Sequence, residues 1–144
     1  MDATQTLVPT RLWIVGGLAL AWNLIGVAAF AMQLGMPEEA LQAMPAERQA
    51  LHRATPAWLY VFYGVATIGG ALGSVGLLLR RRWAAPIFLV ALIALTLQVV
   101  AGYATTPAWS VTGVAGLGFP LLLLVVATAL WRFARAMAAC GVLR

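Results

Sequence analysis

Few side chains in this chain could do chemistry, and most of them stand apart. The only histidine is His52, with Glu38, Glu39, Glu47, Arg48 and Arg53 nearby in sequence. One imidazole and scattered carboxylates fall short of a zinc site's ligand set. No nucleophile stands at a recognisable spacing from a base. There is no phosphate-binding glycine loop, because the glycines from Gly69 to Gly76 lie inside an apolar run and read as packing residues. Cys140 is the only cysteine and can close no disulfide within the chain. No catalytic residue, metal or cofactor is expected, and an enzyme is the less favoured reading. What remains is a set of uncharged polar and aromatic residues embedded in apolar sequence: Trp22, Asn23, Gln33, Tyr63 and Gln98. Two roles are open to them. They can hydrogen-bond across helices and hold the packing, or they can line a pocket for a neutral polar or amphiphilic molecule, with Trp22, Tyr63 and Trp58 as aromatic walls.

Those residues ride on a chain of 144 residues that is 63% hydrophobic and 9% charged, against about 25% charged in a soluble domain. Mean hydropathy is +0.94. This composition excludes a soluble domain, a disordered chain, a nucleic-acid-binding domain and a disulfide scaffold. The net charge of +5 includes no lysine. Its arginines sit at the ends of apolar runs, where membrane topology explains them better than a nucleic-acid partner does.

A membrane-spanning helix needs about 20 mostly apolar residues. Four segments qualify, over residues 12–34, 57–79, 83–103 and 111–131, in a single membrane domain that takes in the whole chain, 1–144. The first follows Arg11 and contains Ala29-Phe30-Ala31, so it has features of a signal peptide. Its apolar run is longer than a signal core of about 7–15 residues, and a retained helix is expected. Arg11, Arg80, Arg81, Arg82, Arg132, Arg135 and Arg144 fall on one side of this layout, and only Arg48 and Arg53 on the other. The positive-inside rule then places both termini in the cytoplasm, with the loop 35–56 and the uncharged loop 104–110 facing outward. Trp13, Trp83 and Trp131 at the inner boundary, and Trp58 and Trp109 at the outer one, form an aromatic belt. Trp22 alone lies mid-span. In the outer loop, Pro37 followed by Glu38 and Glu39, and Pro45 followed by Glu47, predict one or two short helical turns. Pro120 is expected to kink the outer third of the fourth helix.

The first helix carries Gly16, Ala19, Asn23, Gly26, Phe30 and Gln33 at alternating steps of three and four, which puts them on one face. An amide turned to lipid tails would lose hydrogen bonds, so this stripe must face protein. The second helix repeats the spacing with Tyr60, Tyr63, Thr67, Gly70 and Ser74. Beside that stripe run the helix-packing glycines Gly69, Gly73 and Gly76, a small-xxx-small pattern that lets two backbones come close. In the third helix Ala84, Ile87, Ala91, Ala94, Gln98 and Ala101 share a face. The polar side chains gather in the middle and outer parts of the spans. No acidic or basic residue lies well inside any predicted span, which argues against a proton-coupled pump.

The expected fold is therefore all-α, a polytopic four-transmembrane-helix bundle. Trp22-Asn23-Leu-Ile-Gly26 with Gln33, Pro56-Ala57-Trp58, Gly69-Gly70-Ala-Leu-Gly73 with Leu77-Leu78-Leu79-Arg80-Arg81, and then Pro86 and Gln98 make up a further pattern. It resembles a family of short four-helix bacterial inner-membrane proteins, mostly uncharacterised, some of them labelled sugar transporters. The resemblance covers most of the chain. It implies a multi-pass protein of the bacterial inner membrane and includes Trp22, Asn23, Gln33 and Gln98, but it implies no mechanism. Two functions follow as expectations. One is binding or transport of a neutral polar or amphiphilic molecule through an outer-half pocket at Trp22, Asn23, Gln33, Tyr63 and Gln98, with a homo-oligomer needed for transport. The other is a non-catalytic accessory subunit that packs through Gly69, Gly73 and Gly76.

Overall fold

The computed structural model describes residues 8–144; the first seven residues of the predicted domain lie outside the described part. All regular structure among the described residues is helical: α1 (Thr10–Leu34), α2 (Glu38–Gln42), α3 (Ala46–Ala54), α4 (Ala57–Leu78), α5 (Ala84–Thr105), α6 (Ala108–Thr112), a 3-10 turn (Val114–Leu117) and α7 (Gly118–Ala139). Pro9, Pro37, Pro45 and Pro56 stand immediately before α1, α2, α3 and α4, each with an extended ψ that turns the chain into its first helical residue. Proline fits there because the groups it lacks or blocks have no use ahead of the first turn. The two short helices expected between the first and second spans are α2 and α3. An exposed Arg53–Glu38 ion pair of 2.7 Å ties them together, and the Gln49 amide donates to the Met44 carbonyl at 2.8 Å.

Four helical segments are long and apolar enough to cross a membrane: Thr10–Leu34, Ala57–Leu78, Ala84–Thr105 and Val114–Ala139. This is the layout of a multi-pass membrane protein. The first three match the predicted spans closely. The fourth differs. Instead of one helix over 111–131, the chain forms α6, breaks at Gly113 with φ 59°, makes the 3-10 turn, and enters α7, which continues to Ala139. The break is backbone-driven, since that φ lies in the region glycine alone enters freely. Two consequences correct the sequence reading. Pro120 sits in the first turn of α7, where its missing N–H costs no helical bond, so it marks a start and not a mid-helix kink. Arg132 and Arg135 lie within the helix and not beyond its end.

The long helices stand in the order α1, α4, α5, α7, each packed mainly on its neighbours in that row; no comparable interface joins α1 to α5 or α1 to α7. The bundle is thus open along most of its length. It closes only at the arginine-bearing end, where Leu12 of α1, Leu77 of α4, Ala84, Ala85 and Phe88 of α5, and Ala134 and Met137 of α7 form one buried cluster together with Val142 and Leu143.

The last four residues reach that cluster through a pair of matched helix caps. α4 ends with Arg80 in the left-handed region at φ 57°; Arg80 N–H donates to Leu77 O and Arg81 N–H to Gly76 O. α7 ends the same way with Gly141 at φ 71°; Gly141 N–H donates to Ala138 O and Val142 N–H to Met137 O. Both are Schellman caps, which satisfy the last carbonyls of a helix. The two segments leaving the caps then pair as a one-residue parallel bridge: Arg144 N–H donates to Arg80 O at 2.6 Å and Arg82 N–H to Arg144 O at 3.1 Å. The Arg80 and Arg82 side chains add bonds from Nε to the Val142 and Leu143 carbonyls. A non-glycine residue in the left-handed region costs about 1–2 kcal/mol. Here the Arg80 side chain offsets that cost by bonding the tail.

Leu143 is fully buried, so Leu143→Ala should destabilise by about 2–5 kcal/mol. Gly141→Ala, which forces a Cβ into the left-handed region, should cost about 1–2 kcal/mol. Thermal melts in mild detergent should therefore show a larger drop for Leu143→Ala. A melt unchanged by both would disprove the role of the tail.

Candidate functional site

The stripe of α1 and the stripe of α4 meet and form one seam. Its rungs run from the arginine-bearing end to the opposite end. Gly16 lies against the Leu78 side chain, and a Cβ there would come within 2.7 Å of Leu78 Cδ2. Asn23 Nδ2 donates to Ala19 O at 2.8 Å within α1 and reaches Ser74 Oγ at 3.4 Å across the seam. Ser74, fully buried, donates to Gly70 O at 2.8 Å. The Asn23 carbonyl oxygen occupies the space that a side chain at Gly70 would need. Gly26 faces Thr67, with a would-be Cβ 3.4 Å from the Thr67 methyl. Phe30 packs over Gly64 and meets Tyr63 edge to face, with ring centroids 5.1 Å apart. Gln33 is half-buried at the far end of the α1 stripe, and the Tyr60 hydroxyl lies 3.5 Å from His52 Nδ1.

The other face of α4 meets α5 through the glycine stripe. A Cβ at Gly69 would stand 3.2 Å from Ala91 Cβ, at Gly73 3.0 Å from the Phe88 ring, and at Gly76 2.5 Å from the Trp83 ring. Gly69, Gly73 and Gly76 therefore pack helices within the chain. A bulky residue at Gly73 would strike Phe88 inside the chain, so it cannot probe assembly while leaving the fold intact.

The five predicted site residues fall in different places. Asn23, Gln33 and Tyr63 share the α1–α4 seam. Trp22 is 39% exposed on α1. Gln98 is half-buried on α5, and α4 stands between it and Asn23. The middle of the seam is a ladder of closely packed groups. Asn23 and Ser74 use their polar atoms on each other and on their own helices.

Two surface hollows lie elsewhere. One, of about 330 Å³, is lined by Val99, Val100, Tyr103, Ala104, Trp109 and Leu117. It exists because the broken start of the fourth span folds back. The Tyr103 hydroxyl lies 3.4 Å from Thr112 Oγ1, Trp109 stands edge-on to Tyr103 at 5.0 Å, and Gly116 leaves room for Thr112 and Tyr103. The uniform apolar pattern of the fourth span hid this shelf; Gly113 and Gly116 were the signals that could have marked it. The second hollow lies along α7. Among the described residues no group of three or more His, Cys, Asp or Glu side chains is placed to hold a metal ion.

Comparison with family models, with curated proteins and with solved structures returns no match. The resemblance drawn from the motifs at Trp22–Gly26, Gln33, Pro56–Trp58, Gly69–Gly73, Leu77–Arg81, Pro86 and Gln98 therefore stands on the sequence alone.

Gly70→Ala should push Asn23 off α4 and loosen the seam, and Asn23→Ala should weaken it less. In a double-mutant cycle, Asn23→Ala and Ser74→Ala should couple by about 0.6 kcal/mol, the average for hydrogen bonds between membrane helices. Unfolding in detergent would measure both. Additive single mutants would show that the Asn23–Ser74 contact carries no energy.

Proposed function

We propose that the protein is a non-catalytic accessory or structural subunit of a membrane complex, seated in the bacterial inner membrane with both termini in the cytoplasm. The seven arginines on one side of the spans support the orientation. Asn23, Thr67 and Ser74 of the seam spend their polar groups on one another and on their own helices, which leaves little there for a solute. The observation that carries the reading is the far side of α1. Gly17, Ala21, Leu24 and Ala28 recur there at steps of four, three and four, all exposed. A Cβ at Gly17 would meet nothing within 4 Å. Helices in lipid associate where small residues let backbones approach. This stripe offers such an approach to a helix of another chain, and α1 at the end of the row leaves it uncovered.

A second reading is binding of a neutral amphiphile, favoured by the Tyr103–Trp109 shelf. Its hollow of about 330 Å³ sits at the low end of the usual range for ligand pockets, roughly 300–1,000 Å³.

Gly17→Ile separates the two. The mutation points into open space and should leave the isolated chain folded. Under the accessory reading, the mass of the complex recovered in native-like lipid should fall to that of the single chain. Under the amphiphile reading, Gly17→Ile should change nothing, and Trp109→Ala should strip a co-purified small molecule. A parent protein that runs as a bare single chain, with the Gly17→Ile variant identical to it, refutes the accessory role.

A further inference from the structure

The hollow along α7 measures about 390 Å³ and is lined by Leu121, Leu124, Val125, Thr128, Ala129 and Arg132. Those positions recur at three and four and form one continuous stripe of the helix. From Leu121 to Arg132 the helix rises about 16 Å, close to half the ~30 Å hydrocarbon core. The stripe therefore has the length of a single leaflet. It is apolar along that length: the one hydroxyl, on Thr128, is spent on the Leu124 carbonyl at 2.7 Å.

The stripe ends in charge. Arg132 lies within the apolar span Val114–Ala139, well short of its end. Arg135 follows on the next turn, its guanidinium held 5.1 Å from the centre of the Trp131 ring. Both arginines are exposed. The acidic residues among those described are Glu38, Glu39 and Glu47, all in the loop at the opposite end. The one ion pair among the described residues is Arg53–Glu38, also at that end. Among the described side chains, Arg132 and Arg135 thus have no carboxylate to face. A guanidinium carried within an apolar span calls for a counter-charge, and its planar fork matches the two oxygens of a phosphate.

We propose that this stripe holds one anionic phospholipid from the arginine-bearing leaflet. Its phosphate sits on Arg132 with Arg135 beside it, and one acyl chain lies along Leu121, Leu124, Val125 and Ala129. The site is on the opposite edge of the row from α1, so it stands or falls independently of the accessory role.

The test uses the full chain in nanodiscs of equal parts phosphatidylcholine and phosphatidylglycerol, with retained lipids counted by native mass spectrometry. The parent protein should retain phosphatidylglycerol in preference. Arg132→Gln should cut that preference on the order of tenfold, the loss of one charge-assisted contact. Arg132→Lys should keep most of it. Ala129→Trp fills the stripe with the charge intact and should lower retention of the bound lipid, while Ala115→Trp, outside the stripe, should not. Glycerol 3-phosphate added at millimolar concentration should displace nothing, because it lacks the acyl chain. Unchanged preference in Arg132→Gln overturns the proposal, as does full retention in Ala129→Trp. Displacement by glycerol 3-phosphate would reassign the site to a free phosphate ester. If Arg132→Gln fails to fold by circular dichroism, the Ala129→Trp and competition arms still decide the matter.

Discussion

The whole arrangement depends on α4 being able to accept a helix closely on two sides at once. A membrane helix gains nothing from hiding apolar surface, because the lipid tails around it are equally apolar. It must gain from dispersion contact and from hydrogen bonds, and both need short distances. Gly64 and Gly70 provide those distances toward α1, and Gly69, Gly73 and Gly76 toward α5. Side chains from the neighbouring helices fill the missing volume: Phe30 and Asn23 from one side, Phe88 and Trp83 from the other. With a bulkier α4, α1 would have no seat, and the row would lose its central member.

The same constraint explains the chemistry of the polar residues. In hydrocarbon, an amide that bonds only water in an unfolded chain has no water to return to. Asn23 meets the demand twice, through its own helix at Ala19 and across the seam at Ser74. Ser74 in turn bonds back to Gly70, the residue whose bare backbone admits Asn23. Three residues thus close a small circuit in which each depends on the others. Such a circuit specifies the register of α1 on α4 more strongly than it adds stability, since single interhelical bonds of this kind average only about 0.6 kcal/mol.

Much of this was legible in the chain. Steps of three and four placed Gly16, Asn23, Gly26 and Phe30 on one stripe, and Tyr63, Thr67, Gly70 and Ser74 on its counterpart. The structure joins the two rung by rung. The neighbouring glycine stripe was equally clear, although its partner, α5, was not. Periodicity reports which residues share a face but not which helix meets it. For that reason Gln98 and Asn23 read as members of one polar cluster while α4 stands between them. The fourth span was misjudged because its hydropathy is uniform and the break lies in one backbone torsion at Gly113. The clasp at the arginine-bearing end left no mark at all. Nothing in Arg80-Arg81-Arg82 announces a left-handed arginine, and the pairing with Arg144 joins segments more than sixty positions apart.

That clasp bears on how the chain is assembled. α1, α4 and α5 can enter the membrane and pack in the order in which they are made, each against the neighbour just before it in the row. The buried cluster at the arginine-bearing end cannot be completed that way. Leu12, from the first span, waits for Val142 and Leu143, from the far end of the described chain. Until they arrive, Arg80 holds its strained torsion with no carbonyl to bond, and the apolar ends of four helices stay open to water. The locking of the arginine-bearing end therefore belongs to the last step of biogenesis, so a ribosome stalled before α7 emerges would leave three packed helices without a closed base.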